Sequence, residues 1–160
     1  MNYLLDTCVV SEYVKKQPNQ TVIQWLDQQD EETLFISIIT IAELKKEIIK
    51  IKNTQPERYQ KLTIWLQKIE QRFKERILPL SNQILDIWAV ICGESEAIGK
   101  KLPIMDSLIA ATASQHKLTI VTRNISDFNF TTIQVFSPWD NLKSFISTGK
   151  CRTKFNCCYH

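Results

Sequence analysis

Four acidic residues stand where a carboxylate can do chemistry: Asp6, Glu43, Asp106 and Asp127. Each also has a structural explanation. Asp6 and Asp106 can cap a helix or match its dipole, and Asp127 can hold an Asx-turn. Glu43 is harder to dismiss, because Ile38–Leu44 is otherwise apolar but for Thr40 and a lone buried Glu is costly. If the four converge they repel one another and lose hydration, which a hard divalent cation relieves. Magnesium favours carboxylate oxygens and keeps several waters, a combination suited to activating water against a phosphodiester. No His or Cys is expected among them, so zinc fits poorly.

Convergence depends on the elements that carry these acids. Asn2–Asp6 reads as a short buried strand ending on an acid, followed by helices over Val9–Lys16 and Thr21–Gln29, the second burying Val22, Trp25 and Leu26. Leu34–Ser37 reads as the second strand, and a helix follows, with Thr40 or Ser37 as its cap and Leu44, Ile48 and Ile51 on one face. Pro56 starts a helix with Leu62, Trp65, Leu66, Ile69 and Phe73 at i, i+3, i+4 spacing. Ser81 caps another, with Ile84, Trp88, Ile91 and Ile98 inward. After Pro103 comes the small-residue helix Asp106–Gln115, then strands over Leu118–Thr122 and Ile133–Phe136. Strands alternating with helices predict a parallel α/β sheet covered on both faces. Ligands of such sheets collect beyond the carboxyl ends of the strands, where Asp6, Glu43, Asp106 and Asp127 are expected to meet.

The bulk numbers restrict the class. A chain of 160 residues with 44% hydrophobic residues, 3 Gly and 5 Pro suits one folded domain. No apolar run reaches the roughly 18–20 residues of a membrane span, and the N-terminus has no signal-peptide pattern, so a cytoplasmic protein with no membrane partner is expected. Of the 5 Cys, Cys8 and Cys92 read as buried free thiols. Cys151, Cys157 and Cys158 crowd near the end with His160, in no strong zinc pattern. Lys143, Lys150, Arg152 and Lys154 give residues 141–160 a basic character without any acid, so the formal net charge of +3 becomes −1 over residues 1–140. Charge alone therefore does not announce nucleic-acid binding. The division expected is a folded unit over 1–140 and a basic, Cys-containing tail over 141–160.

The local contexts of the acids carry a resemblance. Leu4-Leu5-Asp6-Thr7-Cys8-Val9-Val10-Ser11-Glu12 resembles the opening of PIN-domain ribonucleases of the VapC toxin type. Ser37-Ile38-Ile39-Thr40-Ile41-Ala42-Glu43-Leu44 is similar to their second motif, Ile104–Ala113 to the third, and Thr122-Arg123-Asn124-Ile125-Ser126-Asp127-Phe128 to the fourth. The motifs occur in family order over residues 2–139. The resemblance implies a three-layer α/β/α sandwich with a short, mostly parallel central sheet. It also implies Mg2+-dependent endoribonuclease activity with Mn2+ able to substitute, an RNA substrate, a cognate antitoxin protein and a homodimer. Many relatives have Asn where this chain has Cys8, and a thiol is the poorer hydrogen-bonding group.

Around the acids, Thr7, Thr122 and Ser107 are expected to orient carboxylates or water, although Ser107 can simply cap its helix. Arg123 is placed to contact RNA phosphate, or to pair with a local acid. Asn124 shapes a turn. Glu12 either approaches the site or is an exposed helical acid. His116 reads as a surface or C-cap histidine, and Trp25, Trp65 and Trp88 as core. Residues 45–76 hold ten Lys or Arg against four acids, which suits an RNA-facing surface, a solvated helix face or, by resemblance, a seat for the antitoxin or the dimer. The alternative to a nuclease is a catalytically inactive PIN-like module that binds RNA or protein, and four intact acids argue against it. A phosphatase with nucleophilic Asp6 would want a second Asp at position 8, where Cys8 stands.

Overall fold

The computed structural model describes residues 1–129 and 131–140; the expected tail over 141–160 lies outside the described residues. Five short strands form one sheet: β1 (Tyr3–Leu5), β2 (Leu34–Ser37), β3 (Ile77–Leu78), β4 (Thr119–Val121) and β5 (Val135–Phe136). Their order is β3-β2-β1-β4-β5, and every pair is parallel. Leu5 pairs with Ile36 on one side and Val121 on the other.

Among the described residues, six α-helices cover the sheet: α1 (Thr7–Val10), α2 (Gln20–Gln28), α3 (Ile38–Lys50), α4 (Pro56–Arg72), α5 (Asn82–Ala97) and α6 (Ile104–His116). Successive strand residues face opposite sides, and the core divides accordingly. Leu5, Ile36 and Val121 pack with Val22, Trp25, Leu44, Trp65, Leu66 and Phe73. Leu4 and Ile120 pack on the other side with Ile109, Ala110 and Ala113 of α6. Both faces are covered, which is why these strands read as unbroken apolar runs rather than alternating ones. Three alanines in α6, Ala110, Ala111 and Ala113, are fully buried.

Several details differ from expectation. The first helix begins at Thr7 rather than Val9, because Asp6 caps it, and after one turn it tightens into a 3-10 segment, Ser11–Val14. The cap of α3 is Ser37, whose Oγ accepts from Ile39 N at 3.2 Å. Thr40 is buried instead and donates to Leu5 O at 3.5 Å. α6 starts two residues before Asp106, directly after Pro103. Strand β3 gave no signal in the sequence, since two residues between Arg76 and Pro79 are too few to show a period. Ile98 is 64% exposed rather than inward: α5 ends at Ala97, and Gly99, with φ +72°, turns the chain away. Cys8 and Cys92 are half-buried rather than buried.

Trp88 is half-buried too, with its indole N–H on Ser107 Oγ at 2.8 Å. Among the described residues, no helix is long and apolar enough to cross a membrane. Part of the basic surface over 45–76 turns inward. Arg76 is buried and donates to the carbonyls of Glu31, Leu34 and Arg72 at 2.5, 3.1 and 3.0 Å. Arg72 and Arg76 both hold the Glu31 carboxylate, which keeps that acid below its ordinary range, chiefly through the Arg72 hydrogen bonds.

Candidate active site

The strand order reverses direction at β1. Strands β2 and β3 lie to one side and β4 and β5 to the other, so the carboxyl ends of β1 and β4 open the crevice where α/β sheets bind ligands. Asp6 follows β1 there, and its N–H donates to Val121 O at 3.0 Å. Its extended backbone lets the side chain turn back on α1, where Oδ1 accepts from Thr7 N at 2.7 Å. Oδ2 accepts from Thr122 Oγ1 at 2.7 Å and from Cys8 Sγ at 3.2 Å. Thr122, the residue after β4, is fully buried. Its N–H is spent on Phe136 O of β5 at 3.0 Å, which leaves the hydroxyl aimed at Asp6.

Glu43 comes from the second turn of α3, whose start is set by the Ser37 cap. Glu43 Oε2 accepts from Thr7 Oγ1 at 2.6 Å. Thr7 therefore holds both acids, one through its backbone N–H and one through its hydroxyl. Asp106 stands in the first turn of α6 and Asp127 in the 3-10 turn Ile125–Phe128 beyond β4. Glu43 is half-buried, so the full cost expected for a buried Glu is reduced. Asp6, Asp106 and Asp127 are half-buried as well. Among the described residues none of the four has a cationic partner within salt-bridge distance.

The cluster has an electrostatic consequence. Burial pushes the Asp106 carboxyl up to about 6, and the charges of Asp6, Glu43 and Asp127 add to the rise. Four carboxylates from four elements thus share one field. As they stand, no group of three or more His, Cys, Asp or Glu among the described residues is placed to hold a metal ion directly. An all-oxygen, mutually repelling set of this kind suits a hard divalent cation held partly through water.

The other candidates divide. Thr7 and Thr122 bind carboxylates directly, as described. Ser107 does not reach them: its hydroxyl donates to Ile104 O at 2.7 Å and accepts from Trp88. Arg123 is exposed on the rim, and Asn124 donates its N–H to Thr122 Oγ1 at 3.1 Å. His116 is exposed in the last turn of α6, but the cap is Lys117. Glu12 is neither at the site nor exposed. It is 2% exposed, pairs with Lys15, and accepts from Asn19 N at 2.7 Å, bracing the entry to α2. Cys8 reads from the sequence as a buried free thiol and a poor hydrogen-bonding group, yet it donates to Asp6 Oδ2. The acids do have a thiol beside them, contrary to expectation. Burial, and then Asp6, push that thiol up to about 12, so it stands as a protonated donor and not as a thiolate ligand. Its position two residues after Asp6, on the first turn of a helix that Asp6 caps, was the available signal.

A parallel α/β sandwich with acids gathered at its switch point defines a class. The PIN domain family model matches residues 3–129, most of the chain, and the chain belongs to that family. Among its relatives, the Toxin FitB of Neisseria gonorrhoeae is 39% identical over 141 residues, spanning 85% of this chain and 97% of that protein. The VapC ribonuclease Y4jK of Sinorhizobium fredii is 30% identical over 141 residues, spanning 86% and 97%. The crystal structure of FitAcB from Neisseria gonorrhoeae superposes with a TM-score of 0.81 at 37% identity, over 86% of this chain and 98% of that one.

Proposed function

We propose that this chain is a magnesium-dependent endoribonuclease and the toxin member of a toxin–antitoxin pair. The observation that carries the reading is the gathering of Asp6, Glu43, Asp106 and Asp127 from four elements into one shared field. That arrangement is unfavourable without a cation and useful with one. Asp6, Glu43, Asp106 and Asp127 would hold Mg2+, partly through water, and Mn2+ would substitute. Such a cation, when bound, lowers the pKa of water and stabilises charge on the phosphodiester oxygens. Thr7 and Thr122 keep Glu43 and Asp6 in fixed orientations by the hydrogen bonds given above. Arg123, exposed beside them, is the residue proposed to meet an RNA phosphate.

RNA as the substrate is supported by the relative named a VapC ribonuclease, and the toxin role by the relative named Toxin FitB. A cell that makes such a nuclease needs a partner that neutralises it, so a cognate antitoxin is proposed as the binding partner. A homodimer acting in the cytoplasm completes the reading. The test uses purified full-length protein and a mixed RNA substrate. Cleavage is expected with Mg2+ or Mn2+, is expected to stop with EDTA, and is expected to fall at least about 100-fold in Asp6→Asn. Full activity of Asp6→Asn, or cleavage unaffected by EDTA, overturns the proposal.

A further inference from the structure

Three protein donors meet the carboxylate of Asp6. An ionised carboxylate offers about four lone-pair sites, two on each oxygen. On Oδ2, Thr122 Oγ1 and Cys8 Sγ take both, at 2.7 and 3.2 Å. On Oδ1, Thr7 N takes one at 2.7 Å, the one donor to that oxygen among the described residues. Cys8 is not held by chance. Arg123 N donates to its sulfur at 3.4 Å, and Sγ also lies 3.7 Å from Thr122 Oγ1. Sulfur, hydroxyl and carboxylate form one tie between the ends of β1 and β4.

We propose that Cys8 is a positioning residue that, with Thr122, occupies Oδ2 of Asp6, so that Asp6 offers a cation one oxygen only. The proposal rests on the metal-dependent reading above. Its consequence is selectivity. Mg2+ demands near-octahedral geometry and keeps its waters, which suits a single carboxylate oxygen, whereas Ca2+ readily takes a carboxylate through both. Closing Oδ2 therefore disfavours Ca2+ more than Mg2+.

The experiment is calorimetric titration of the full chain with MgCl2 and, separately, CaCl2, for the parent, Cys8→Ala and Cys8→Ser, each checked for folding by circular dichroism. The quantity read is the ratio of the two dissociation constants, which a general loss of stability leaves in place. Cys8→Ala is expected to shift that ratio about fivefold toward Ca2+, less than loss of a strong outer-shell partner costs. Cys8→Ser, which keeps a donor, is expected to stay within about twofold of the parent. An unchanged ratio in Cys8→Ala, or a Cys8→Ser ratio equal to that of Cys8→Ala, overturns the role of Cys8 while leaving the metal site standing. A parent that binds no Mg2+ overturns both.

Discussion

Asp106 is raised first by burial and then by the charges of Asp6, Glu43 and Asp127, and its behaviour separates stability from activity. Its pKa stands at about 6 in the folded protein against an ordinary 3.8, so the metal-free folded state binds more protons than the unfolded state between those values. Stability of the metal-free protein therefore falls as pH rises through that window. Because Asp106 is half exposed, solvent screening reduces the effect to the order of 1 kcal/mol. In EDTA, Tm is expected to be higher at pH 5 than at pH 7.5. Asp106→Asn removes the repelling charge and should gain about 2–4 °C in Tm at pH 7.5, with that pH dependence flattened and RNA cleavage lost. Differential scanning calorimetry checks the first part and a cleavage assay the second. A variant that loses both stability and activity would show that Asp106 is structural.

The elements present these side chains only if their ends are fixed, and several ends are fixed by polar side chains rather than by apolar packing. Ser37 starts α3 and so sets where Glu43 emerges. Asp6 starts α1 and so sets where Thr7 and Cys8 stand. Arg76 does the same from a distance. Its guanidinium joins the turn before β2 to the carboxyl end of α4 and lies 4.5 Å from the Phe73 ring centroid. Arg76→Ala takes a donor from the carbonyls of Glu31, Leu34 and Arg72 and opens a cavity under α4, while Glu31 keeps the Leu34 N–H on its carbonyl and Arg72 on its carboxylate. The expected loss is about 2–3 kcal/mol in urea denaturation. The residual folded protein should keep its metal response, since no acid of the site touches Arg76.

For the chain as a whole, the prediction concerns its partner. Expressed alone, it is expected to arrest growth of the host. Expressed with the product of the adjacent open reading frame, it is expected to be harmless and to copurify with that product. Asp106→Asn should abolish arrest in the first case. Growth arrest that persists in Asp106→Asn would remove RNA cleavage as its cause. The near-neutral charge of residues 1–140 fits the proposed RNA interaction if the proposed metal site and a few exposed residues such as Arg123 guide it rather than a broad basic field. Part of the basic stretch over 45–76 is already engaged within the protein: Lys45 with Glu70, Lys50 with Glu47, and Arg72 and Arg76 with Glu31.

Much of this architecture was legible in the linear chain, because period and placement are local properties. Leu34–Ser37 was readable as a strand, Pro56 as a helix start and Ser81 as a cap, since each depends on residues within a few positions. The acids were legible for the same reason: Asp6 follows a strand, Glu43 and Asp106 lie in the first two turns of helices whose starts the sequence marks, and Asp127 lies in the turn beyond β4. What the sequence left open depended on contacts between distant segments. Glu12 turned inward because Asn19 and Lys15 meet it there. Ser107 turned away from the acids because Trp88 of α5 claims its hydroxyl. The two residues of β3 are a strand only because β2 lies beside them. Cys8 reads as a buried free thiol and a poor hydrogen-bonding group; its role depends on the end of β4, which brings Thr122 and Arg123 against it. The four carboxylates could be named from their neighbours in the chain, but the orientation of Asp6 depends on Thr122, 116 residues away, and that of Glu43 on Thr7, 36 residues away, and only the packed sheet sets those distances.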